Sequence, residues 1–195
     1  MFERFLKGSL NPRPLHPMQF LLRAHSAFRA SSVLVMSGQV YEAQATLRLC
    51  LEHASYGFYI GDDDERWRRW MSRHDSDTGR KAVRNEFTAT KIQASLAGAA
   101  PKIGAAFSTL YEGVIDFGAH PNELGFSVST FVQHEDDRVH FNTIYLHADG
   151  LPLDLGIKTT ARIGLCALMI ARLIYPEKLK LLGIHEEVDE MKTRY

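Results

Sequence analysis

The feature that most constrains this chain is a change in its hydrophobic period. Val40, Ala43, Leu47, Leu51, Ala54 and Phe58 recur in steps of three and four, which places them on one face of an α-helix. Between Phe126 and His147 that period stops. Two runs rich in β-branched and aromatic residues, Phe126–Val132 and Val139–His147, flank the polar stretch Gln133–Arg138. Helical spacing then returns after Pro152. Helical pattern on both sides of one strand-like insertion predicts a bundle carrying a β-hairpin.

The punctuation between elements divides the bundle. Gly8, Asn11, Pro12, Pro14 and Pro17 make residues 8–17 a loop, because repeated prolines remove helix donors. Met18–Ser37 reads as a helix with Leu21, Leu22, His25, Phe28, Ser32 and Met36 on one side. Gly38 ends it, and Gln39–Ile60 forms the next helix, so the two make an antiparallel hairpin. Asp62–Asp64 supplies N-caps for a third helix, with Trp67, Trp70, Met71 and His74 facing inward. A fourth helix spans about Asp77–Gly98, and a fifth runs from Pro101 to Gly118 with Ile103, Phe107, Leu110 and Val114 inward.

The hairpin at 126–147 is expected to have a loop longer than the tight two-residue kind. Leu155–Tyr175 then forms the last long helix. Its small residues Gly156, Thr160, Gly164, Ala167 and Ala171 let another helix approach closely. Residues 176–195 read as a short charged helix or coil. The expectation is a mainly α, single-domain bundle over residues 1–195, with about six helices and a β-hairpin before the last long one.

A chain of 195 residues buries about 70% of its unfolded surface, so it can build a core without disulfides. Cys50 and Cys166 both sit within apolar helical patterns, which favours buried thiols and a reducing cytoplasm. No secretory signal opens the chain. The longest late apolar run, Ile163–Ala171, is far short of the roughly 20 residues that cross a bilayer. A cytoplasmic protein without membrane contact is expected.

The net charge is zero, with 23 basic and 23 acidic residues, but the charge is unevenly placed. Residues 66–91 hold eight bases against three acids, and residues 111–154 hold eight acids against one base, Arg138. The two stretches can meet within the chain or across a homodimer. A two-stranded ribbon is marginal in water on its own, which also favours a second subunit.

Four groups of residues carry candidate chemistry. In Arg48-Leu49-Cys50-Leu51-Glu52-His53, Arg48 and Glu52 are four apart and share a helix face. On an apolar helix they are expected to be largely buried, and an Arg–Glu pair there can be purely architectural. Arg48 with His53 also suits RNA chemistry, since Arg holds phosphate and His moves protons near neutral pH. In this Arg-x4-His spacing the chain resembles the HEPN superfamily of all-helical prokaryotic domains, many of them metal-independent ribonucleases working as dimers. The resemblance implies Arg48 and His53 as the matching pair. The chain is also similar to uncharacterised bacterial helical proteins that carry an early Arg-x3-Glu and a later His-Pro, here His120-Pro121.

Glu112, Asp116 and His120 form a second group, spaced to stack on one helix face. Two carboxylates and an imidazole could hold a divalent metal, or they could form a solvated acidic face. Third, Pro121 forces His120 out of helical conformation, leaving a turn that presents His120 and Asn122 to a ligand or simply stops the helix. Fourth, Arg66, Arg69 and Arg73 lie in the basic stretch with Trp67 and Trp70, a composition that suits single-stranded RNA or pairing with the acidic segment. Walker, GxGxxG, HExxH, CxxC and GxSxG motifs are missing, so no cofactor is expected. The sequence therefore favours a non-catalytic assembly or binding module acting as a homodimer. A HEPN-like ribonuclease or RNA-binding protein and a metal-binding bundle are the alternatives.

Overall fold

A computed structural model describes residues 1–192. Its first elements are α1 (Phe2–Leu6), α2 (Leu15–Met36) and α3 (Val40–Ile60). Gly38 lets α2 and α3 fold back on each other: its φ of 83° suits glycine, and a Cβ there would lie 2.6 Å from the carbonyl oxygen of His147. His147 closes the same corner by donating its backbone N–H to the Gly38 carbonyl at 2.9 Å.

Helix α3 is the centre of the molecule. Ala43, Leu47, Leu51 and Ala54 are buried as the apolar period requires, and Cys50, Ser55, Gly57 and Ile60 extend burial around the helix. That wide buried surface arises because α2 packs on one side while α6 (Ala89–Ala99), α7 (Pro101–Val114) and α9 (Leu151–Ile174) pack on the others. The small residues of α9 act as expected. A Cβ on Gly164 would meet the Phe28 ring at 2.5 Å, and one on Gly156 would meet Val40 at 3.0 Å. Cys50 and Cys166 are both free and buried, and burial pushes each thiol up to about 12.

Several expectations need correction. Helix α2 starts at Leu15, inside the expected loop, because Pro17 falls in the first turn, where a backbone donor is not needed. Its buried face includes Phe20, Leu21, Ala24, Ser31 and Val35, whereas Leu22 and Met36 are exposed. The stripe is thus rotated by about one residue toward α3. The fourth helix is two: α5 (Asp77–Glu86) and α6 are separated at Phe87-Thr88. Thr88 caps α6 by accepting from the Lys91 N–H, and Phe87 turns into a small second core with Phe20, Ile60 and Val83.

Asp63 caps α4 (Asp64–Met71) by accepting from the Arg66 N–H. Trp67 and Trp70 are half-buried against Phe20. Met71, the last residue of α4, and His74 are exposed instead of inward; His74 lies in a 3₁₀ turn at Ser72–His74, where the chain leaves the α-helical phase.

The hairpin is shorter than its apolar runs suggested. Phe126 belongs to α8 (Glu123–Ser129), and the strands are β1 (Thr130–Glu135) and β2 (Arg138–Thr143). Pairing of Glu135 with Arg138 leaves a two-residue turn, Asp136-Asp137, in place of the longer loop. Asp136 takes a φ of 46° there, a conformation that Asp tolerates better than most residues. After α9, residues 176–192 are not a loose tail. They form α10 (Pro176–Leu181) and α11 (Ile184–Lys192), which bury Leu179, Ile184 and Val188 in the main core. Residues 193–195 of the expected tail lie outside the described residues.

Candidate functional site

One turn of α3 brings Arg48 and Glu52 to the same side, and α7 adds Tyr111 opposite them. Arg48 Nε donates to Glu52 Oε1 at 2.8 Å. The Tyr111 hydroxyl donates to the same oxygen, also at 2.8 Å, and the Arg48 guanidinium lies 5.5 Å from the Tyr111 ring centre. The three residues line a cleft of about 230 Å³ with Ser55, Tyr56 and Gln93. Arg48 and Glu52 are not largely buried as expected, since their side chains keep 33% and 30% of their exposure. The cleft admits water to the pair. Burial pulls the Arg48 guanidinium down, but the hydrogen bond and charge of Glu52 outweigh it and leave it raised. Burial, then the Glu52 carboxylate, pushes the Tyr111 phenol up.

Sequence reasoning missed Tyr111, which it passed over among the apolar residues of the fifth helix. The available signal was chemical. A tyrosine on an inward stripe needs an acceptor for its hydroxyl, and Glu52 on a packed helix needs donors.

His53 stands apart from this cleft. Five residues along a helix amount to about 140° of rotation from Arg48, and His53 Nδ1 lies 2.7 Å from the Leu49 carbonyl of its own helix. His53 does not line the Arg48 cleft.

Glu112, Asp116 and His120 are not brought together. The α-helical ladder of α7 stops at Val114, residues Ile115–Ala119 widen into a π-turn, and Gly118 leaves helical geometry at φ 140°. His120 is then extended and exposed. Glu112 accepts from Ser108 at 3.3 Å, and Asp116 accepts from Asn122 Nδ2 at 3.1 Å. Asn122 also caps α8 by accepting from the Leu124 N–H. Among the described residues no group of three or more His, Cys, Asp or Glu side chains is arranged to hold a metal ion.

The basic stretch is partly spent locally. Arg66 donates to the Tyr59 carbonyl at 2.5 Å and stacks 4.6 Å above the Tyr59 ring. Arg69 makes two bonds of 2.9 Å to Glu86, which hold that carboxyl low against the opposing effect of burial. Arg73 is exposed, as are Arg68, Lys81 and Arg84. Among the described residues no ion pair joins 66–91 to 111–154.

A larger cavity, about 430 Å³, opens between α3, α7, α8 and α9. Tyr41 forms part of its wall, wedged where glycine alone fits: a Cβ on Gly118 or Gly125 would come within 2.9 Å or 2.8 Å of its ring. No helix of the described residues is long and apolar enough to cross a membrane. Compared with known proteins, the chain matches no family model, no curated protein and no solved structure.

Proposed function

We propose that this protein is a non-catalytic assembly module that acts as a homodimer, with its two copies antiparallel. The observation that supports this reading is the placement of charge along α3. The basic α4–α5 arm attaches at the C-terminal end of α3, through Tyr56, Tyr59 and Ile60. The acidic α8–hairpin segment attaches at the N-terminal end, where Gly118 and Gly125 pack on Tyr41. The 21 residues of α3 span about 30 Å, several times the roughly 8 Å screening length at physiological salt. The two ends therefore do not neutralise each other within one chain. A second copy related by a two-fold axis would bring basic arm to acidic end twice, which is the self-complementarity an isologous dimer requires.

The hairpin adds an apolar contribution. Its register puts Val132, Val139 and Phe141 on one face, and they remain 43%, 50% and 76% exposed. A two-stranded ribbon with one bare apolar face gains stability from a covering surface. Sedimentation equilibrium at low and high salt tests the reading. A dimer that weakens as salt rises supports it, and a monomer at every salt concentration contradicts it.

A second reading, HEPN-like RNA cleavage or RNA binding, draws on one observation: Arg48 lines an open cleft. There Arg48 would hold phosphate, while His53, the proton carrier that the resemblance implies, lies outside the cleft, so this reading extends to RNA binding more readily than to cleavage. Phosphate would compete with Glu52 for the Arg48 guanidinium. Incubating RNA with wild type and with Arg48→Ala separates the readings. Cleavage lost only in the variant would support RNA chemistry, whereas equal cleavage or none would contradict it.

A further inference from the structure

The cavity between α3, α7, α8 and α9 differs in character from the surface around it. The acidic 111–154 segment supplies much of its wall, yet no Asp or Glu side chain lines it. Two buried polar side chains of the wall bond to their own helices. Buried Gln44 donates to the Val40 carbonyl at 3.0 Å, and buried Ser129 donates to the Gly125 carbonyl at 2.9 Å. The rest of the wall is mainly apolar, with Tyr41, Thr109, His147 and Thr159 as further polar residues and Arg162 of α9 as its one guanidinium. A guanidinium carries five donors and can serve more than one partner.

Empty space also reaches the backbone. Gly113, the penultimate residue of α7, lines the cavity, and a Cβ there would meet nothing within 4 Å. Gly113 therefore leaves room in the wall that a larger side chain would fill.

We infer that this cavity is a binding site for a small apolar molecule bearing one anionic group, such as a medium-chain monocarboxylate, with the tail between α3, α7 and α9 and the carboxylate at Arg162. Its volume falls within the roughly 300–1,000 Å³ of small-molecule sites. The absence of carboxylates from the wall favours an anion over a cation by simple charge complementarity. The inference does not depend on dimerisation, because all its walls belong to one chain.

Isothermal titration calorimetry of the full chain with octanoate, octanol and octylamine tests it. Octanoate should bind, octanol should bind at least about tenfold more weakly, and octylamine should bind weakest. Gly113→Leu, which places a side chain in the empty space without breaking the helix, should remove octanoate binding while circular dichroism stays unchanged. Arg162→Gln should bring octanoate down to the affinity of octanol. Failure of wild type to bind octanoate would overturn the proposal, as would unchanged binding by Gly113→Leu. A Gly113→Leu chain that loses its dimer without ever having bound octanoate would assign the cavity to a second copy instead, and would overturn it too.

Discussion

Tyr111 and Arg48 donate to a single oxygen of Glu52, each at 2.8 Å, so one carboxylate oxygen fastens α7 to α3. The contact is only partly shielded from water, which limits its strength. Tyr111→Phe removes one donor and keeps the ring, and should lower unfolding free energy by about 0.5–1.5 kcal/mol. Urea denaturation measures this, and an unchanged midpoint would show that the bond adds no stability.

Gly38, between α2 and α3, and Gly113, in the last turn of α7, should respond oppositely to alanine. Gly38 has a left-handed φ and faces the His147 carbonyl at 2.6 Å from any Cβ, so Gly38→Ala should cost more than about 1 kcal/mol. Gly113→Ala has open space and should stabilise by about 0.5–1 kcal/mol. Thermal unfolding of both variants checks the signs.

Stability should fall in alkali. The thiols of Cys50 and Cys166 move from an ordinary 9.0 up to about 12 by burial, and burial takes the Tyr175 phenol from 10.0 to about 12. Raised values mean the folded chain holds protons that the unfolded chain releases. The contribution is therefore whole below about pH 9 and is lost progressively as pH climbs toward 12. Denaturant titrations between about pH 8 and 11 should show this decline, with a shallower slope for the Cys50→Ala, Cys166→Ala double variant.

In acid the weak point should be α11. Lys192 and Arg172 bond to the Asp189 carboxylate at 2.6 Å and 2.9 Å, and these bonds lower it from 3.8 to about 2. A lowered carboxylate stabilises the fold above its unfolded value and loses that stabilisation as pH falls through the folded one. Amide exchange in α11 should accelerate between about pH 4 and 2. Asp189→Asn should already exchange faster at neutral pH and should lose that acid step.

How much of this was legible in the sequence depends on how local the signal is. The α3 stripe, the Asp63 cap and the Gly38 turn were readable because each depends on a few adjacent residues. The two-residue turn at Asp136-Asp137 was hidden by the polar residues around it, which read as a longer loop. Phe126 and Val128 read as strand by composition, yet the Asn122 cap starts a helix through them, so a capping residue outweighed β propensity. Leu179, Ile184 and Val188 were lost among charged neighbours because short helices show little periodicity. The Glu52–Tyr111 bond joins residues 59 apart, and the cavity is a gap between four helices. Neither leaves a spacing in the chain. The charge asymmetry was plain, but only the fold shows that α3 holds its two halves apart.

The most direct test of that central claim is a charge exchange. Arg68→Glu, Arg73→Glu and Arg84→Glu in one chain should abolish its self-association, and Glu135→Lys, Asp136→Lys and Asp137→Lys should do the same in another. Mixed, the two variants should form a heterodimer in sedimentation velocity, each giving the other one matched basic–acidic interface. Persistence of homodimers in either variant, or failure of the mixture to associate where wild type dimerises, would contradict the account.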